Sequence, residues 1–168
     1  FFDWAMAQSL LEAAASGDVA ALRAAVAAGV PLSSRNDEGE TAVHEAAFAG
    51  HPAVIEALAE LKADLNERSA DGMTGIHFAG HAGQAASVRA LIACKASVEA
   101  ADVPRGFTAL HYAAESGHTE VARVLLQAKA DLEVKDLQGR TPVLFANANG
   151  HQETVQALGY EVTNLRPA

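Results

Sequence analysis

Thr108-Ala109-Leu110-His111-Tyr112-Ala113-Ala114-Glu115-Ser116-Gly117-His118 is the stretch that decides the architecture. The chain states it four times. Thr41-Ala42-Val43-His44-Glu45-Ala46-Ala47-Phe48-Ala49-Gly50-His51 comes first, then Thr74-Gly75-Ile76-His77-Phe78-Ala79-Gly80-His81-Ala82-Gly83. Thr141-Pro142-Val143-Leu144-Phe145-Ala146-Asn147-Ala148-Asn149-Gly150-His151 closes the series. The four threonines are separated by 33, 34 and 33 residues. A fixed period of this size marks stacked repeats, each too thin to bury its apolar face alone.

Residues 36–68 give the plainest copy. Asn36-Asp37-Glu38-Gly39 is a turn signature, with the glycine supplying positive φ. Thr41 is placed to N-cap a helix, an interaction typically worth ~1 kcal/mol. Val43, Ala46 and Ala47 form that helix's apolar stripe, Gly50 ends it, and Pro52 opens a second helix where a missing N–H costs nothing. Val54, Ile55, Leu58 and Leu61 then face the core.

The other segments vary this plan. Residues 1–7 are a hydrophobic N-terminal segment, and 8–35 an atypical capping repeat in which Gln8 and Leu11 replace the threonine and histidine. Residues 69–101 carry Gly75 and Gly80 inside the first helix, each costing ~1 kcal/mol relative to alanine. Gln84 also stands there for the histidine of the neighbours, so this is expected to be the least stable middle repeat. Residues 102–135 have one extra residue in the turn Val103-Pro104-Arg105-Gly106, residues 136–164 form a C-terminal capping repeat with a shortened second helix, and 165–168 are a tail.

The 168 residues are half hydrophobic, with alanine the largest single contribution, and only 5% aromatic. Alanine suits close helix-to-helix approach in thin layers. A net charge of −9 argues against nucleic acid and against a polybasic membrane site, both of which need a basic face. No apolar run reaches the ~18 residues of a membrane span, so direct membrane insertion is not expected. The single cysteine, Cys94, excludes an internal disulfide and fits a reducing intracellular compartment. That is the cytoplasm by default, or an organelle after removal of a targeting segment. The start at Phe1 without methionine reads as a fragment or a processed product.

The turn Asp-x-x-Gly, the Thr-Pro-Leu-His-x-Ala-Ala segment, the Gly-His pair and the second helix together resemble the ankyrin repeat, over about residues 8–164. The resemblance implies an all-α solenoid of about five stacked helix-turn-helix repeats with projecting hairpin-like turns. It also implies an array that binds proteins and does not catalyse. This chain departs from the family at Leu144, which replaces the histidine, and at Lys62, Lys95 and Lys129, which replace a glycine. Either the backbone differs there or the strain of a left-handed lysine is accepted, at ~1–2 kcal/mol.

Seven histidines raise the question of a metal. His44, His77 and His111 share one repeat position, and His51, His118 and His151 another, so they fall on successive layers and serve structure. His77 and His81 share a helical face, but no cysteine pair or third ligand lies near in sequence. No phosphate loop or nucleophile elbow is present, and Cys94 lies in an apolar run typical of an inert thiol. No cofactor, metal site or enzyme activity is expected.

The residues that the repeat leaves free are those before each threonine and those four, seven and eight after it. Turn and first-helix positions of successive layers line one concave surface. The candidate partner-binding residues there are Glu40, Phe48, Met73, His81, Phe107, Tyr112, Glu115, Arg140 and Asn149. Phe48, Met73 and Phe107 read as exposed anchors, whereas Phe78, Tyr112 and Phe145 can also pack between layers. Asp37, Glu38, Glu40 and Glu45 make one end acidic, as a solvated face or as a dock for basic residues. Phe1, Phe2 and Trp4 form either a cap or a docking segment. The expected function is recognition of another protein; the alternative is a structural subunit held permanently in a larger assembly.

Overall fold

The computed structural model describes residues 4–161; Phe1, Phe2 and the side chain of Trp4 lie outside the described residues. The described chain forms ten α-helices and no strand. They come in five pairs: α1 (Trp4–Ser16) and α2 (Val19–Ala27), α3 (Ala42–Ala49) and α4 (Pro52–Glu60), α5 (Gly75–His81) and α6 (Ala85–Ala93), α7 (Ala109–Ser116) and α8 (Thr119–Gln127), α9 (Pro142–Ala148) and α10 (Gln152–Ala157). The first helices pack in one row (α1, α3, α5, α7, α9) and the second helices in another. The boundary drawn at residue 8 falls inside α1.

Each of the three middle pairs starts on the same device. In Thr41, Thr74 and Thr108 the extended backbone brings its N–H to the Nδ1 of the histidine three residues on, at 3.0, 3.0 and 3.2 Å. With Nδ1 accepting, the imidazole is the neutral Nε2–H tautomer. That N–H reaches forward to a carbonyl of the following layer: Met73, Phe107 and Arg140, at 3.0, 2.9 and 3.1 Å. One side chain therefore closes a helix N-terminus and joins two layers. All three rings are fully buried.

A second set of bonds runs backwards. His51, His118 and His151 donate from Nε2 to the carbonyls of Ala15, His81 and Glu115, at 3.0–3.1 Å. Gln84 fills the missing place in this series and donates to the Phe48 carbonyl at 3.2 Å. The amide thus does the histidine's work, and the departure seen in the sequence leaves no gap. The ring of His151 lies against Gly117, where φ is +75° and an added Cβ would come within 2.6 Å of the imidazole.

Gly75 and Gly80 also have a reason. A Cβ on Gly80 would sit 2.9 Å from the Ala109 carbonyl oxygen, and one on Gly75 would sit 2.9 Å from the Val43 side chain. The glycines that weaken α5 as an isolated helix let it lie close to both neighbours. Lys62, Lys95 and Lys129 adopt the left-handed backbone, with φ of 69°, 70° and 67°. The family geometry is therefore kept and the strain accepted. In each case the lysine N–H and the one after it bond back to the last helical turn, as at Lys62 to Ala59 (3.0 Å) and Ala63 to Leu58 (2.9 Å).

The turns project as fingers, each organised by the side chain at its start. Asn36 Oδ1 accepts from the N–H groups of Glu38 and Glu40, Asp102 Oδ1 from Arg105 and Phe107, and Asp136 Oδ1 from Gln138 and Arg140. Arg35 and Arg68 tie fingers together. Each guanidinium donates to the carbonyl of its own finger glycine and to a carbonyl of the following finger.

Candidate functional site

The first-helix row and the fingers present one continuous face, on which the free positions of each repeat are distributed. The finger residues Val103 and Leu137 are each 69% exposed but are aliphatic; the exposed aromatic ring of this face is that of Phe48, at 52% exposed. Its ring meets the half-buried Phe78 edge to face, with centroids 6.4 Å apart, and Phe78 in turn packs edge-on against His44. Phe48, Phe78, His44, Glu40 and Glu45 enclose a cavity of about 230 Å³. Glu45 also lines a neighbouring cleft of about 340 Å³ between α1 and the first finger, with Glu12, Asp37 and Glu38.

The acidic groups here are held by an amide in place of a cation. Asn36 Nδ2 donates to Glu40 at 2.9 Å and to Glu45 at 3.2 Å. Burial first, then the Glu40 charge, pushes the Glu45 carboxyl above the usual range, with Asn36 pulling the other way. The nearby Arg35 guanidinium is spent on the Gly39 and Arg68 carbonyls and on Glu67 (2.5 Å).

The C-terminal half of the face is built differently. Phe107 is not an exposed anchor: it is 0% exposed. The Arg105 guanidinium lies over its ring at 3.5 Å, and His111 and Phe145 pack against it at 4.9 and 4.8 Å. The extra turn residue is what brings Arg105 there, where it also pairs with Glu115 at 2.6 Å. Tyr112 is likewise buried and donates its hydroxyl to Asp102 Oδ2 at 2.6 Å. Burial opposes the charge on Asp102, but this hydroxyl and the N–H groups of Phe107 and Arg105 hold its carboxyl below the usual range. Burial and the Asp102 carboxylate push the Tyr112 phenol well up. Neither aromatic is available to a partner as it stands.

The remaining candidates stay at the surface. Met73 is half-buried, and its carbonyl receives His44. His81 is exposed with its ring edge-on to Tyr112. Arg140 is exposed, pairs with Asp136 at 2.7 Å and lies over the Phe145 ring at 4.6 Å. Asn149 donates to the Glu115 carbonyl at 2.7 Å. Arg140, Phe145, Ala148 and the exposed Leu144 line a second cavity of about 210 Å³. Sequence reading missed Leu144 and Glu12. The first was noticed only as a lost histidine, and the second reaches the cleft from the capping repeat, whose register is the hardest to read.

His77 and His81 do not converge: His77 is committed to Thr74 and Phe107, while His81 faces solvent. Among the described residues no three His, Cys, Asp or Glu side chains gather as a metal ion would require. Cys94 is half-buried, and burial, followed by Glu56 and Glu60, pushes its thiol up. No helix among the described residues is long and apolar enough to cross a membrane.

Helix pairs stacked in two rows, with fingers beside a free first-helix face, define a solenoid scaffold for protein recognition. A family model for ankyrin repeats, spanning three copies, matches residues 10–102 and again 91–165. The chain belongs to the ankyrin-repeat family, whose members are generally protein–protein interaction modules and typically non-catalytic. Among curated proteins, none matches the chain.

Proposed function

We propose that this chain is a non-catalytic recognition module that grips a protein partner on the face formed by its first helices and fingers. The observation that carries this reading is Phe48. An aromatic ring that is 52% exposed, beside a second ring and an open cavity, is the kind of anchor around which interfaces are organised. The core of the fold does not need it, because alanines and the Thr-x-x-His bonds already hold α3 to its neighbours. Glu40, Met73, Phe78 and His81 surround it, and Glu115, Arg140 and Asn149 extend the face towards the C-terminal end.

Site-specific photo-crosslinking tests the proposal. A benzophenone side chain at Phe48 or His81 is expected to capture a partner in cells. The same probe at Glu56 or Arg89, exposed on the second-helix row, is expected to capture none. Capture from the second-helix row alone would refute the assignment of the face.

A further inference from the structure

The two ends of the recognition face differ in how their charges are satisfied, and the difference selects a partner. At the C-terminal end both arginines on the face are already matched: Arg105 with Glu115, and Arg140 with Asp136. Each also covers an aromatic ring, Phe107 or Phe145. At the N-terminal end no cation among the described residues lies over the rings of Phe48 and Phe78, and the charge is one-sided. The cleft between α1 and the first finger is lined by Glu12, Asp37, Glu38 and Glu45, with no lysine or arginine. The adjoining cavity adds Glu40 and the faces of Phe48 and Phe78, again without a cation.

In chemical terms the second end is the complement of the first. Where Phe107 has a guanidinium above it and a carboxylate beside the guanidinium, Phe48 and Phe78 have the carboxylates and lack the cation. A guanidinium or ammonium entering there would meet ring faces and two carboxylates together. That combination favours a cation more than either part alone, because the rings exclude water from the half-buried Glu45 and so strengthen its attraction for the cation. We propose that this groove receives an extended basic segment of a protein partner. One arginine or lysine lies over Phe48 and Phe78 between Glu40 and Glu45, and a second basic residue occupies the cleft at Glu12, Asp37 and Glu38. The inference rests on the recognition face named above and specifies its occupant. The Glu45 carboxyl, raised by burial and by its acidic neighbours, is the group that gains most from the incoming charge.

The test uses the purified chain and a display library of random twelve-residue peptides. The expected result is enrichment of peptides with at least two Arg or Lys residues near an apolar one. Their affinity should fall about tenfold or more in the Glu40→Gln/Glu45→Gln variant, as for the loss of a close charge pair at an interface. It should stay unchanged in Arg89→Gln and in Arg123→Gln, exposed on the second-helix row, and it should drop steeply as salt rises. Circular dichroism melts of each variant separate lost binding from lost folding. Enrichment of neutral or acidic peptides, no enrichment, or basic peptides indifferent to the glutamate substitutions would each overturn the proposal. If the enriched peptides respond to Leu144→Ala instead, the occupant is wrong but the recognition face stands. If they respond to substitutions at neither end, the face falls as well.

Discussion

Ser87 offers the sharpest check on the packing argument. It is fully buried in α6, and its hydroxyl is the buried side-chain polar atom that finds no partner among the described residues. The repeat explains why. Equivalent positions in the second, fourth and fifth layers hold Val54, Val121 and Thr154, all buried. Thr154 is satisfied by the hydroxyl of Thr119 in the preceding layer, at 2.8 Å. The residue that would do this for Ser87 is Pro52, which has no hydroxyl. An unmet buried hydroxyl costs ~1–3 kcal/mol, and serine is ~0.5 kcal/mol poorer than alanine inside a helix. Against this stands the small void left by one oxygen atom. Ser87→Ala should therefore stabilise the chain by about 1–2 kcal/mol, which for a domain of this size raises Tm by roughly 3–6 °C. Urea titration followed by circular dichroism measures it. A variant no more stable than the parent would show that the hydroxyl is bonded after all, and that the layers at this point are less dry than described.

Phe107→Ala should lower stability by about 3–5 kcal/mol, as for other buried aromatic truncations, and thermal melts would show it; an unchanged Tm would return Phe107 to the surface. Lys95→Gly relieves a left-handed lysine at φ 70°, and should stabilise by about 0.5–1 kcal/mol after the entropy cost of glycine, measured by the same titration. Acid should loosen the stack in a defined order. Burial holds His44, His77 and His111 below their ordinary pKa, so the unfolded chain binds more protons and stability falls as pH drops below about 6.5. A melting series from neutral pH downward should show that loss, and the triple variant with glutamine at all three positions should show less of it. Asp102 and Asp136, both held below the usual carboxylate range, add a second decline only near and below pH 4.

The fold was legible because its information is periodic. Four spaced threonines, a glycine after each first helix and a turn motif before it repeat the same local physics, and each copy corroborates the others. The left-handed lysines could be located but not resolved, since sequence cannot weigh backbone strain against a cap. Gly75 and Gly80 were legible only as poor helix formers; that they admit α5 between its neighbours depends on distances across layers. The site was harder. Phe48, Met73 and Phe107 looked alike as apolar residues at free positions, yet one is open, one half-buried and one enclosed. What separated them was the single inserted residue near Arg105, which turns a guanidinium onto Phe107 and closes that end. Position in the repeat says which residues can reach the face. It does not say which of them the fingers will cover.

The most direct test of the account is hydrogen exchange of the chain with and without its crosslink-identified partner. Slowing is expected in the finger at 36–40 and in α3 and α5, with α4 and α6 unchanged. Protection confined to α4 and α6, with the first-helix row untouched, would place the partner on the opposite side and contradict the reading.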